Sequence, residues 1–313
     1  MSVRGRIVAA VACAITLGVA LAGCSSPPEV GDGELGVDWA VLPTPSVPAP
    51  SLGCTAADGA RTASWSLDFV PGTAVDCAQA HLSETFYVGT FPAEQDTDPA
   101  TVPAVGGARF RYAYAECLGQ ASTFLGGDAF TSRLAVRPVM PTDRQWAGAA
   151  RWFRCELLEV TGLDRAVARR TASLRGALDP AGDGGAGSPL GTFATTCADV
   201  TLDANRHEVL GVTFAQCSAE HDVELTGAAT LPEGDYPADR LGALTYSGCV
   251  AAGARYVGVS NGALLRPGSQ TYTFASDLTQ EQWSAGVRSV WCFYGSAGQR
   301  RTGSVKGLHA YPY

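Results

Sequence analysis

The sequence predicts an α+β fold built twice over, each copy a small antiparallel sheet with helices packed against it and two disulfides. Three observations lead there. An ordered set of landmarks recurs in both halves of the chain, each half carries four cysteines, and each half mixes helical with strand-like apolar spacing.

Residues 54–176 and 197–307 hold the same landmarks in the same order. Cys54 answers to Cys197, and Cys77-Ala-Gln-Ala-His81 to Cys217-Ser-Ala-Glu-His221. Glu84 and Glu224 follow three after each His, and Pro92 and Pro232 eleven after. Tyr114-Ala-Glu-Cys117 answers to Tyr246-Ser-Gly-Cys249, then Phe124-Leu125-Gly126 to Tyr256-Val257-Gly258. Thr142 and Trp146 match Thr279 and Trp283; Arg151 and Arg288 lie five beyond each Trp, Cys155 and Cys292 nine beyond. Arg169-Arg-Thr-Ala-Ser-Leu-Arg-Gly176 closes the first unit as Arg300-Arg-Thr-Gly-Ser-Val-Lys-Gly307 closes the second. So many matches in one order mean duplication, and the long period means two tandem domains and not a solenoid.

Within a unit, Phe110, Tyr114, Cys117, Leu118 and Ala121 fall at helical spacing, which predicts a helix over about 107–121. Thr142 and Thr279, each with Gln three on, carry the capping-box pattern and start a short helix bearing the Trp. The segments after each His, such as 85–91, are strand-like. Residues 152–157 with 170–174, and 290–294 with 301–305, are expected to form hairpins.

The flanks have a different character. Arg4 and Arg6 precede an apolar stretch from Ile7 to Ala22 that ends in Leu21-Ala22-Gly23-Cys24, the layout of a secretory signal. The last four residues resemble the bacterial lipoprotein box, which implies a diacylglycerol on Cys24 and cleavage before it. Prolines at 27, 28, 43, 45, 48 and 50 then favour an extended stalk. The expected division is a signal peptide over 1–23, anchor and stalk over 24–53, repeat 1 over 54–178, a flexible Gly/Pro linker over 179–192, and repeat 2 over 193–313. The expected location is the extracytoplasmic face of the cell membrane.

Of ten cysteines, Cys13 leaves with the signal and Cys24 takes lipid. The other eight are Cys54, Cys77, Cys117, Cys155, Cys197, Cys217, Cys249 and Cys292. An even count in an exported chain implies disulfides, and four cysteines per unit allow three pairings. The favoured pairing joins first with second, closing a short loop, and third with fourth, stapling helix to strand. Zinc is disfavoured because no close Cys-x-x-Cys pair exists. No metal or cofactor is expected.

Net charge is −8, and the removable N-terminus contributes two arginines and no acid, so the mature chain is more acidic still. Such a surface repels phosphate backbones, so no nucleic-acid partner is expected. The expected partners are the membrane, through the anchor, and an envelope protein or wall component. Histidines are few, at 81, 207, 221 and 309, and no Gly-x-Ser-x-Gly, Walker loop or His-Glu-x-x-His is present. The aromatic landmarks, Tyr114, Tyr246, Trp146 and Trp283, read as core residues. Arg151 and Arg288 read as pairing a carboxylate or capping a carbonyl. His81 and His221 read as closing turns, each with its glutamate on the opposite face of a strand.

Taken together, Cys-x-x-x-His-x-x-Glu, a Pro, a helix Cys, and Thr-x-x-x-Trp with Gly and Arg before a last Cys resemble the septum-formation-related domain. Cys217–Glu224 and Trp283–Arg288 keep that pattern most closely; Leu82-Ser83 and the placement of Gly148 depart from it. The resemblance implies an exported or membrane-anchored actinobacterial protein with one or two copies of the domain, linked by name to cell division. It brings no catalytic mechanism. The leading expectation is a non-catalytic envelope binding or scaffold protein. The alternative is an envelope enzyme, hydrolase-like, with a site around His221.

Overall fold

The computed structural model describes residues 47–56, 72–95, 100–205, 208–264, 271–296 and 299–309. They form two five-stranded antiparallel sheets. Strands β1 Gly53–Ala56, β2 Thr73–Val75, β3 Ser83–Thr90, β4 Leu134–Val139 and β5 Trp152–Glu159 are ordered β2-β1-β3-β5-β4. Strands β6 Thr196–Leu202, β7 Val209–Ala215, β8 Val223–Thr230, β9 Thr271–Ala275 and β10 Ser289–Ser296 are ordered β7-β6-β8-β10-β9. The two orders match position for position. The fold is α+β, two small domains in tandem.

A long helix packs on each sheet: α1 Ala108–Leu125 on the first, and later in the chain α3 Leu241–Val257 on the second; between them lies the short α2 Asp143–Ala147. Phe110, Tyr114, Cys117, Ala121 and Leu125 recur at steps of three or four and form the buried stripe of α1. The helix ends where Gly126 takes a left-handed φ of 74° and its N–H donates to the Ser122 carbonyl; Gly258, φ 86°, ends α3 in the same way on Ala254. A third helical turn, α4 Asn261–Leu264, precedes β9, and α5 Gln280–Ser284 precedes β10. Helices α2 and α5 both begin with complete capping boxes, Thr142 with Gln145 and Thr279 with Gln282. Each cap contributes about 1 kcal/mol.

The disulfides join Cys54 to Cys77, Cys117 to Cys155, Cys197 to Cys217 and Cys249 to Cys292. In each domain one closes the turn before the third strand, and the other ties the long helix to β5 or to β10. This is the pairing favoured from the sequence.

Two expectations are corrected. Residues 170–174 and 301–305 are not the second strands of hairpins. β5 lies between β3 and β4, and β10 between β8 and β9, so both edges of each are already occupied. The later segments touch the sheet through one bridge each, His81 with Arg170 and His221 with Arg301.

The Gly/Pro segment between the domains is the second correction, for it is built into the fold. The buried Arg133 guanidinium donates to the carbonyls of Gly191 (2.6 Å) and Thr192 (2.9 Å), to Ser188 Oγ (2.7 Å) and to Glu159 (3.0 Å). Its face lies 4.3 Å from the Phe193 ring centroid. The glycines permit close approach: a Cβ on Gly187 would lie 1.8 Å from the Thr171 carbonyl oxygen.

The domains also share material. One apolar cluster includes Phe110, Tyr114 and Phe153 from the first domain and Trp283, Val287 and Val290 from the second. The turn after β5 reaches across to the outer edge of β7. Leu163 N–H donates to Val212 O (3.0 Å), and Phe214 N–H to Thr161 O (2.7 Å). Gly162 is required there, because a Cβ would lie 2.2 Å from the Val212 oxygen.

Candidate binding groove

The repeated His and Glu come together around a shared structural task. His81 and His221 are fully buried, just before β3 and β8. Nδ1 of His81 meets the Gln79 carbonyl at 2.8 Å, and Nδ1 of His221 meets Ala219 at 2.9 Å, so each ring closes its turn. The glutamates are buried as well and clamp the segment after the last strand of each domain. Glu84 accepts from Ser173 Oγ (2.5 Å) and Leu174 N (2.6 Å). Glu224 accepts from Ser304 Oγ (2.5 Å), Val305 N (2.7 Å) and Tyr256 Oη (2.9 Å). The recurrent Arg-Arg-Thr-x-Ser motif thus supplies the hydroxyl and amide that satisfy a buried carboxylate.

The expectation that His and Glu point to opposite faces is overturned in the second domain. His221 Nε2 lies 3.8 Å from Glu224 Oε1. His221 precedes β8, so strand alternation does not run through it. Burial lowers the His221 pKa, but the Glu224 contact, the Ala219 carbonyl and the Glu224 charge outweigh it and leave it raised. His81 goes the other way: burial lowers it, Arg170 adds to the effect, and the Gln79 carbonyl and Glu84 do not compensate. Cys197, His221 and Glu224 place potential ligand atoms within 4.8 Å of one another. The Cys197 sulfur is bonded to Cys217, and the Glu224 oxygens already accept three hydrogen bonds. With the sulfur in a disulfide and the carboxylate hydrogen-bonded, that donor set fits a structural cluster better than a metal, although His221 Nε2 is buried and makes no hydrogen bond among the described residues.

The Trp and Arg landmarks form a clip. Arg151 lies over the Trp146 ring (4.1 Å to the centroid) and donates to the Trp146 and Ala150 carbonyls. Arg288 does the same over Trp283 (3.9 Å), donating to the Trp283 and Val287 carbonyls. Each arginine closes the end of the short helix onto the next strand, and Arg288 adds an ion pair with Glu233 at 3.0 Å. Of the two roles expected, pairing a carboxylate or capping a carbonyl, Arg151 shows the second and Arg288 shows both.

Tyr114 and Tyr246 part company. Tyr114 is 3% exposed and Tyr246 is 51% exposed, so the second is not a core residue. Counting from the helix cysteines, Phe110 of α1 corresponds to Gly242 of α3. Counting from the β5 and β10 cysteines, Val136 corresponds to Thr273. Two apolar side chains that fill the helix–sheet seam in domain 1 are therefore lost or made polar in domain 2. An open groove of about 690 Å³ results between α3 and β9, lined by Tyr236, Leu241, Thr245, Tyr246, Thr273 and Ala275 among others. A second cleft, about 700 Å³, is lined by residues of both domains and mixes Asp128, Asp179 and Asp183 with Arg255 and Lys306.

Charged groups that the sequence reading passed over lie behind the first sheet. Arg137 and Arg154 both pair with the buried Glu156 carboxylate, Arg154 at 2.7 Å. The available signal was ionic residues inside the apolar run 152–159.

Cys24, the signal segment and His207 lie outside the described residues. Among the described residues no helix is long and apolar enough to cross a membrane. No curated protein and no solved structure matches the chain. A family model described as septum formation matches residues 61–292, a span that takes in most of both sheets. The family description points to a role in cell division or the envelope, and the chain belongs to this septum formation family.

Proposed function

We propose that the chain is a non-catalytic, lipid-anchored binding module of the cell envelope that serves septum formation by holding a partner in the α3–β9 groove. The observation that carries this reading is how the repeated residues are used. His81, Glu84, His221, Glu224, Trp146 and Trp283 are buried, and each takes part in a turn, a clamp or a clip. The open space instead arises where the domains differ, at Gly242 and Thr273. Among the described residues Ser304, Glu224 and His221 come together, but the Ser304 hydroxyl donates to the carboxylate and not to the imidazole. Nucleophile activation needs the hydroxyl within reach of a base that faces a substrate. Anchoring follows from the Leu-Ala-Gly-Cys24 box, since diacylglycerol carries two acyl chains and two chains hold a protein stably where one does not.

Two measurements test the reading. Cys24→Ala in the producing cell is expected to release the protein from the membrane fraction; a variant that stays acylated and bound would end the anchor claim. His221→Gln, checked for intact disulfides and cooperative melting, is expected to support division as well as the parent chain does. A folded His221→Gln chain that fails to do so would restore the enzyme reading.

A further inference from the structure

Among the described residues β9 is the outermost strand of its sheet. Ser276 N–H donates to Trp291 O on β10 at 2.8 Å. In an antiparallel ladder alternate residues face the neighbour, so Phe274 and Tyr272 bond to β10 while the N–H and C=O of Thr273 and Ala275 point away from the sheet. Among the described residues nothing pairs with those outward groups.

The other outer edges are treated differently. β4 occupies the same place in domain 1, and there Pro138 opposes Cys155 as Ala275 opposes Cys292. Proline has no N–H to offer, so the position that is open in β9 is blocked in β4. β4 is also covered, with Leu134 and Val136 lining the same small cavity as Val287 and Trp291 of domain 2. The outer edge of β7 is taken by residues 161–163 of domain 1, so this fold already completes one sheet by strand addition. β2 is only three residues long. β9 offers Thr273 and Ala275 beside the groove at Gly242.

We propose that the β9 edge and the groove beside it bind an extended peptide segment of another envelope protein, added to the sheet as a sixth strand. Backbone bonds to Thr273 and Ala275 hold the segment, and its alternate side chains turn into the groove. One apolar side chain occupies the space that Phe110 fills in domain 1 and Gly242 leaves empty in domain 2. Among the described residues Asp277 is the one charged residue lining the groove, so the segment carries a basic residue beside it and no acidic one. This inference rests on the binding-module reading and names its ligand class. The anchor and catalysis tests above do not depend on it.

The test uses the full chain in detergent and a displayed library of random ten-residue peptides, with enriched sequences resynthesised. Binders are expected to alternate apolar with polar residues, to carry a basic residue, and to slow hydrogen exchange at the Thr273 and Ala275 amides. N-methylation of the peptide at the residues facing β9 is expected to weaken binding at least tenfold, and at the alternate residues much less. Ala275→Pro, copying Pro138, and Gly242→Phe, copying Phe110, are each expected to weaken binding at least tenfold without loss of the folded state. If Ala275→Pro does not fold, Gly242→Phe and the N-methyl series decide. The proposal is overturned if the library yields no binder tighter than about 1 mM, or if folded Ala275→Pro binds like the parent. It is also overturned if the chain dimerises through β9, which would make a second copy the occupant.

Discussion

The backs of the two sheets share a backbone and differ in content. In domain 2 Phe274, Phe293 and Trp291 lie there; Phe274 stacks on Phe293 at 4.9 Å and Phe214 meets Trp291 edge-on at 5.7 Å. In domain 1 the residues at the same register are Arg137, Glu156 and Arg154, an ion triad around a buried carboxylate. An aromatic cluster gains from burial alone and tolerates small shifts. A buried triad gains only when every charge is matched, so it contributes little net stability and makes the loss of any partner costly. The two domains share the ladder and the cysteine positions and differ in the chemistry of these faces.

The largest effect should come from breaking that triad. Glu156→Ala leaves two guanidinium groups facing each other and is expected to destabilise by about 3–5 kcal/mol in denaturant unfolding. The triple change Arg137→Phe, Arg154→Trp and Glu156→Phe, which copies domain 2, is expected to be neutral or stabilising by up to about 4 kcal/mol. A cost below about 1 kcal/mol for Glu156→Ala would remove the contrast between the faces.

The clips should be alike where the faces are not. Arg151→Ala and Arg288→Ala each remove a cation–π contact and carbonyl hydrogen bonds, and each is expected to cost about 1–2 kcal/mol. The exposed Glu233 partner of Arg288 should add less than about 1 kcal/mol. Chemical denaturation of the two single variants measures this, and a difference well above 1 kcal/mol would show that the clips are not equivalent.

The smallest effect is the pH response, and it should have opposite signs in the two domains. Free histidine titrates near pH 6.5. The lowered pKa of His81 means the unfolded chain binds its proton first, so its contribution is present at neutral pH and lost as pH falls below about 6.5. The raised pKa of His221 means the folded chain binds first. Its contribution is fully present below about pH 6.5 and lost as pH rises through the folded value. Thermal melts between pH 5 and 8 should therefore show His81→Gln removing a loss on the acid side and His221→Gln removing a gain there. Equal slopes in both variants would contradict the assignment.

Much of the fold was legible because its signals are local. The stripe from Phe110 to Ala121 announced α1, and Thr142-x-x-Gln145 announced a cap whose partners lie within one turn. The cysteine sequence leaves three pairings per unit open; short loop closure and a helix-to-strand staple favour the one that the structure shows. Edge strands β4 and β9 were missed because Pro138 reads as a strand breaker and because β9 is only five residues long. Residues 170–174 and 301–305 read as hairpin strands from their sequence, whereas each touches its sheet through one bridge, at Arg170 and Arg301.

Spacing along the chain is enough to show the recurring landmarks, the long helix of the first domain, the caps, the disulfide cysteines and the family resemblance. Tertiary structure decided what spacing cannot reach. It brought Glu224 to Ser304 and Tyr256, and it turned a glycine-rich segment into the seat of Arg133. It also left Tyr246 exposed where Tyr114 is buried. These outcomes depend on which distant groups share a desolvated space, because a buried charge or an open groove is defined by its neighbours and not by its position in the chain.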